Sequence, residues 1–284
     1  MRLRRLMLAV DGSSHSRMAL DAGLRLAEIF GSEVLTIHSV PTYDEYGVGA
    51  DLFQTIVQAL ETEGKNILAE AGENLGAAGL SHVERLEHGH PVERILSVEG
   101  EWRPDLVVVG SRGTSISELY PLGSVSFRVA LLSQSSVLVV RPPGEFRRIL
   151  VPLDRSLGSS EAATWAGTLA KRADASLTLL VVIESHPARV KFTVSKGFAD
   201  PFLSTTEERM RTGGVRPTRR IRYGDPTTEI VSQAIEGKDD LVVMGAKGVT
   251  DAPVFSLGGV TSRVIRQAPS SVVVVREDGG IGGG

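Results

Sequence analysis

One unusual glycine spacing occurs twice in this chain. Gly110-Ser-Arg-Gly113 is followed after nine residues by Gly123-Ser124, and Gly245-Ala-Lys-Gly248 is followed at the same spacing by Gly258-Gly259. Each copy begins where an apolar run ends, residues 106–109 and 241–244, and each leads into a segment of helical character. Strand, glycine loop and helix start is the local order in which backbone N–H groups converge on a phosphate. Two copies 135 residues apart in the same setting make a duplicated unit the simplest reading.

The remainder of the chain follows the same grammar. Residues 6–10, 33–40, 83–88, 106–110 and 137–140 read as strands, and 14–30, 52–75, 91–98 and 124–132 carry apolar side chains at helical spacing. The second half repeats the series at 149–154, 159–173, 177–183, 219–223, 226–235, 241–245, 259–267 and 272–275. Strands alternating with helices predict parallel sheets with helices on both faces, so the fold class is α/β, as two tandem Rossmann-like domains. A proline and glycine cluster at Pro142-Pro-Gly-Glu145 predicts the boundary, with domain 1 over residues 1–143, domain 2 over 144–278 and a flexible tail at 279–284. The offset between halves is 143 at Asp11 and Asp154 but 135 from Gly89 and Gly224 onward, which predicts a shorter second helix in the second half.

Bulk properties exclude several function classes. At 284 residues and 42% hydrophobic content the chain is long enough for two ordinary cores. A net charge of -3 gives no general attraction to nucleic acid or to anionic membrane, and neither is expected as a partner. The absence of cysteine closes the thiol chemistries and fits a cytoplasmic protein. Asp11 interrupts the first apolar run after five residues, so that run reads as a strand rather than a signal peptide, and no run approaches the roughly 20 residues of a membrane span. There is no Gly-x-x-x-x-Gly-Lys-(Ser/Thr), His-Glu-x-x-His or Gly-x-Ser-x-Gly, and no catalytic or metal-ligating residue is assigned. His88 and His90 read as incidental, Trp165 as packing, and the arginines of 216–222 as a solvated face.

Three elements in each half fall at the carboxyl ends of candidate strands, where open α/β sheets bind ligands. Asp11 or Asp154 follows the first strand and either accepts hydrogen bonds from ribose hydroxyls or simply caps a turn. Gly89-His-Pro91 or Gly224-Asp-Pro226 either lets the backbone approach a flat base or serves as a strand-to-helix turn. The glycine loops add a cation each, Arg112 and Lys247, read either as phosphate ligands or as solvated charges.

These residues resemble the universal stress protein family, in particular its tandem nucleotide-binding branch. The resemblance rests on Val10-Asp11 and Val151-Pro-Leu-Asp154, on the two Gly-x-Pro elements and on the glycine loops, and covers residues 6–141 and 148–276. It implies a five-stranded parallel sheet per domain, pairing of the halves as a pseudo-dimer through their last strands, and further self-association as a dimer of two-domain chains. It also implies bound ATP, with Mg2+ left open. Ribose would lie on Asp11 or Asp154. Adenine would lie near the second-strand ends, Ser39-Val40 and Val182-Ile183, with Val40 and Val182 as the positions named, and near Gly89 or Gly224. Phosphates would lie on Gly110, Arg112, Gly113, Gly123, Ser124, Val125 and Ser126, and in the second half on Gly245, Lys247, Gly248, Gly258, Gly259, Val260 and Thr261. The family often has proline where Ala9 stands, and Pro152 keeps it; the hydroxyl of Ser124 is lost at Gly259. One missing hydroxyl contact weakens binding by about 0.5–1.5 kcal/mol, so the second site is expected to be the weaker. The resulting expectation is an ATP-binding stress-response regulator or interaction module. Two alternatives stand beside it: an enzyme that hydrolyses ATP or adenylylates a small substrate, and a ligand-free dimerisation protein.

Overall fold

The structure is a computed structural model that describes residues 3–42, 50–113, 122–184, 196–248 and 257–276. The chain divides into two compact units, Arg2–Val140 and Arg141–Gly284. The tail expected at 279–284 lies outside the described residues.

The first unit runs β1 (Arg5–Ala9), α1 (Ser14–Phe30), β2 (Glu33–Val40), α2 (Ala50–Ala77), β3 (His82–His88), α3 (Pro91–Trp102), β4 (Leu106–Gly110), α4 (Ser124–Leu132) and β5 (Ser136–Val140). Its strands are all parallel in the order β3-β2-β1-β4-β5. The second unit runs β6 (Arg148–Leu153), α5 (Leu157–Ala173), β7 (Ser176–Ile183), α6 (Lys196–Thr212), β8 (Thr218–Tyr223), α7 (Pro226–Gly237), β9 (Leu241–Gly245), α8 (Gly259–Gln267) and β10 (Ser271–Val275). Its parallel order, β8-β7-β6-β9-β10, is the same. The two five-stranded α/β sheets expected from the alternation are therefore present. The second helix is indeed shorter in the second half, 17 residues in α6 against 28 in α2.

Burial follows sequence character. β4 and β9, Leu-Val-Val-Val-Gly and Leu-Val-Val-Met-Gly, are buried along their whole length, as parallel strands covered on both faces must be. β3 and β8 carry the charges and are largely open to solvent. The arginines of β8 are not merely solvated, however: Arg219 pairs with Glu207 at 3.3 Å, and Arg222 with Glu229 at 3.3 Å and with Glu236. Trp165 is buried, as its packing role requires.

A clamp that periodicity does not reveal starts each sheet. Asp105 Oδ2, at the entry to β4, accepts from the backbone N–H groups of Arg4 at 2.5 Å and Arg5 at 2.9 Å. Asp240, at the entry to β9, accepts from Arg147 and Arg148 at 3.1 Å each. Each carboxylate ties the start of the first strand to that of the fourth.

Beside the second clamp, Asp239 is 7% exposed, with Gln233 as a side-chain hydrogen-bond neighbour. Burial pushes this carboxyl from 3.8 up to about 6; Arg148 opposes the shift and Asp240 adds to it. The charged form is penalised only in the folded state, so the contribution of this one group is most favourable at low pH and is lost as pH rises through the window from 3.8 to about 6. Asp239→Asn is therefore expected to raise the melting temperature at pH 8, with the gain shrinking to nothing near pH 4. A gain that is the same at both pH values would contradict this account.

Candidate functional site

In the first unit the connection after β1 turns sharply into α1. Asp11 Oδ1 accepts from the Ser13 N–H at 3.0 Å, the Asp11 N–H donates to Ser16 Oγ at 3.0 Å, and Ser13 Oγ caps α1 by accepting from the Ser16 N–H at 3.1 Å. One carboxylate oxygen thus holds the turn. The other faces the glycine loop: a Cβ placed on Gly113 would come within 2.6 Å of Asp11 Oδ2.

The three glycine positions that the two loops share do different work. A Cβ on Gly110 would lie 2.7 Å from the carbonyl carbon and oxygen of His15, and one on Gly245 would lie 2.6 Å from the carbonyl carbon of Gly158. These first glycines let the opening turns of α1 and α5 pack directly on the ends of β4 and β9. The second glycines, Gly113 and Gly248, lie against Asp11 and Asp154. The third, Gly123 and Gly258, cap α4 and α8 without any side-chain hydrogen bond, so the first amides of both helices keep no capping acceptor. Their own N–H groups close the loop, onto Ser111 O at 2.7 Å and Ala246 O at 2.8 Å. Ser126 Oγ donates to Gly110 O at 2.5 Å and Thr261 Oγ1 to Gly245 O at 3.0 Å, so these buried hydroxyls hold the strand end. What Ser126 and Thr261 offer a ligand is backbone N–H.

A cavity of about 450 Å³ opens at the carboxyl ends of β1, β2 and β4, where the strand order reverses direction. It brings together Asp11, Val40, Gly110, Arg112, Gly113 and residues 123–126. Arg112 Nε is buried there with no hydrogen-bond partner among the described residues. Gly89 is not on the wall. At φ +130° it requires glycine, its N–H donates to Val40 O at 2.9 Å, and its carbonyl accepts from Ser39 Oγ at 2.9 Å, so it braces the end of β2 from behind. His38, Glu63, Ile67 and Ile95 line the same space, none of them among the expected ligand positions. The helical period of Leu60 and Ile67 is visible in the sequence, but periodicity does not distinguish a cavity wall from a packed core. His88 pairs with Glu61 at 2.9 Å, and no group of three His, Asp or Glu side chains suited to a metal ion occurs among the described residues.

Asp154 repeats the arrangement in the second unit, with Oδ1 accepting from the Ser156 N–H at 3.0 Å and Oδ2 2.6 Å from a Cβ placed on Gly248. Residues 2–141 and 145–276 each match the model of the Universal stress protein family. The chain belongs to the universal stress protein family. Universal stress protein YxiE of Bacillus subtilis (strain 168) is 34% identical over 145 residues, 48% of this chain and 98% of that protein. The structure of a universal stress protein from Archaeoglobus fulgidus DSM 4304 superposes with a TM-score of 0.74 at 22% identity, covering 97% of this chain and 99% of that one. A functionally unknown protein from Pseudomonas aeruginosa PAO1 does so with a TM-score of 0.69 at 14% identity, covering 97% and 93%. Those two likenesses carry the fold, and the double family match makes it a tandem one.

The two halves of this universal stress protein are not equivalent in detail. Val182 is not the counterpart of Val40: β7 pairs with β8 as Val182↔Arg222 and Ile183↔Tyr223, and the Gly224 N–H donates to Ile183 O at 3.1 Å. Ile183 therefore matches Val40 and Val182 matches Ser39, so the ligand position named in the second half lies one residue before the true counterpart of Val40. Pro152, lacking an N–H, coincides with an early end to the ladder between β6 and β9, which stops at Leu150↔Val242, whereas β1 and β4 pair as far as Ala9↔Val109. Asp225 caps α7, accepting from the Thr228 N–H at 2.9 Å, and that bond holds its carboxyl below the usual range. His90, at the matching place, makes no side-chain cap.

Beside Asp154, Arg155 has φ +69°, where the first half has Gly12 at +75°. A side chain in this left-handed conformation costs about 1 kcal/mol. Arg155→Gly is expected to raise the stability of the second unit by about 0.5–1 kcal/mol in urea denaturation; a destabilised variant would show that the arginine makes compensating contacts.

Proposed function

We propose that this universal stress protein binds an adenine nucleotide, ATP, in the first unit's cavity and more weakly at the corresponding place in the second. It acts as a nucleotide-dependent regulator or interaction module of a cytoplasmic stress response, working as a homo-oligomer. The observation that carries the reading is the convergence of three groups on one space of about 450 Å³: the Asp11 carboxylate, the uncapped start of α4, and Arg112 with its buried, unpartnered Nε. That volume lies within the roughly 300–1,000 Å³ of small-molecule sites. In this arrangement Asp11 Oδ2 accepts from ribose hydroxyls, the first amides of α4 and Arg112 hold phosphate oxygens, and Val40 borders the base. Mg2+ would enter as the counter-ion of the phosphates, since no protein ligand set for it gathers among the described residues.

The test is whether purified protein carries nucleotide, followed by calorimetric titration with ATP. Asp11→Asn keeps the acceptor for the Ser13 N–H but replaces the second carboxylate oxygen, and should weaken ATP binding tenfold or more, by about 1.5 kcal/mol, with the fold intact. Gly259→Ser restores the hydroxyl of the second loop; its Cβ meets only Arg263 Nη1, at 3.8 Å, so it fits and should tighten the weaker site several-fold. Absence of both co-purifying nucleotide and binding on titration would leave only the ligand-free dimerisation reading.

A further inference from the structure

We propose that His38 selects the base in the first unit, its free ring nitrogen accepting a hydrogen bond from an exocyclic amine so that 6-amino purines are preferred over 6-oxo purines. The proposal rests on the reading of the cavity as a nucleotide site.

His38 lies on β2 between Ile37 and Ser39, and it lines the cavity two residues before Val40. Its Nδ1 lies 2.8 Å from Val10 O. A carbonyl oxygen only accepts, so Nδ1 must carry the proton, and in the neutral ring Nε2 is left as an acceptor. Nε2 has no hydrogen-bond partner among the described residues. The backbone carbonyl thus fixes both the ring and the tautomer, and the open nitrogen is held in one chemical sense.

The helix above the ring is shaped to admit it. A Cβ on Gly64 would lie 2.7 Å from His38 Cδ2 and 3.2 Å from Nε2. Glycine in the middle of a helix is disfavoured by about 1 kcal/mol relative to alanine, and here it makes room for an imidazole. The second unit has Val181 at the matching strand position, so this polar group belongs to the first site alone. Its polar neighbour on β2 is already occupied, Ser39 Oγ donating to Gly89 O at 2.9 Å. The charged side chains facing the same space are Asp11 after β1, Glu63 from α2 and Arg112 from the loop, and across the strand pair the ring's partner is Leu86.

Adenine presents an amine at position six, where guanine and hypoxanthine present a carbonyl oxygen. An acceptor fixed in the wall pairs with the first and opposes the second.

The experiment titrates the full chain with ATP and with ITP, which differ at position six, and reads the binding component that Asp11→Asn removes. The wild-type chain is expected to prefer ATP at least tenfold. His38→Phe should bring the ratio below threefold by weakening ATP. His38→Gln, whose amide oxygen is an acceptor, should retain part of the preference; should the phenylalanine variant fail to fold, His38→Leu tests the same property. Equal binding of ATP and ITP by the wild-type chain, or an unchanged ratio in folded His38→Phe, overturns the role of His38 while leaving the nucleotide reading intact. Failure of the wild-type chain to bind either nucleotide overturns both.

Discussion

Gly110→Ala and Gly245→Ala should each destabilise their own domain by about 3 kcal/mol, whereas Gly123→Ser should stay within about 0.5 kcal/mol of wild type. All three positions belong to the same repeated motif, and by spacing alone they look interchangeable. An added Cβ at Gly110 would lie 2.7 Å from His15 C and O and 3.0 Å from the Ser16 nitrogen; at Gly245 it would lie 2.6 Å from Gly158 C and 2.8 Å from its oxygen. Those neighbours are backbone, so the clash cannot be relieved by turning a side chain and must move a helix against a strand. At Gly123 the nearest atoms are 3.4 Å to 3.7 Å away, and φ -70° with ψ 153° suits any residue. Serine there is also a good helix cap. Differential scanning calorimetry of the full chain, following each domain's transition, would check the contrast; a Gly110→Ala variant melting like wild type would refute the packing role.

Glu99→Ala should destabilise the first unit by about 3 kcal/mol. Glu99 is 4% exposed, and one of its oxygens accepts from Ser133 Oγ at 2.7 Å, the Gln134 N–H at 2.9 Å and the Ser135 N–H at 2.6 Å. Alanine leaves the Gln134 and Ser135 N–H groups without their acceptor at the turn that feeds β5, while Ser133 Oγ keeps only Ser135 O, at 3.0 Å. Glu99→Gln keeps an acceptor oxygen in place and should lose about 1 kcal/mol. The matching positions in the second half are Ala234 and Ala268, so only the first unit should respond. Urea denaturation curves for the two variants give the comparison; equal losses would mean that the carboxylate's charge, rather than its acceptor geometry, holds the turn.

Much of the candidate site is legible in the local patterns of the chain. Asp11, Arg112, Gly113 and residues 123–126 are expected around a ligand and do face one cavity. Their common signal is local: each lies within a few residues of the end of an apolar strand or the start of the helix that follows, and in a parallel sheet those strand ends share one rim. His38 and Glu63 give no such signal, because they sit inside elements and become cavity walls only when α2 lies over β2. The second strand of the second half ends at Ile183, as its apolar run over 177–183 predicts; that Ile183 rather than Val182 is the counterpart of Val40 is decided by the pairing with β8.

The sequence by itself determined what short-range physics controls: two α/β units from apolar runs alternating with helical periods, the turn chemistry between them, and membership of a family whose motifs are local. Only the tertiary structure decided which glycines pack a helix and which face the site, which arginines of β8 are paired, and that Asp105 and Asp240 clamp strand starts roughly a hundred residues away. The reason is distance along the chain. Periodicity and turn residues act over a few positions, whereas close approaches and buried hydrogen bonds join residues whose proximity exists only once the sheet has formed.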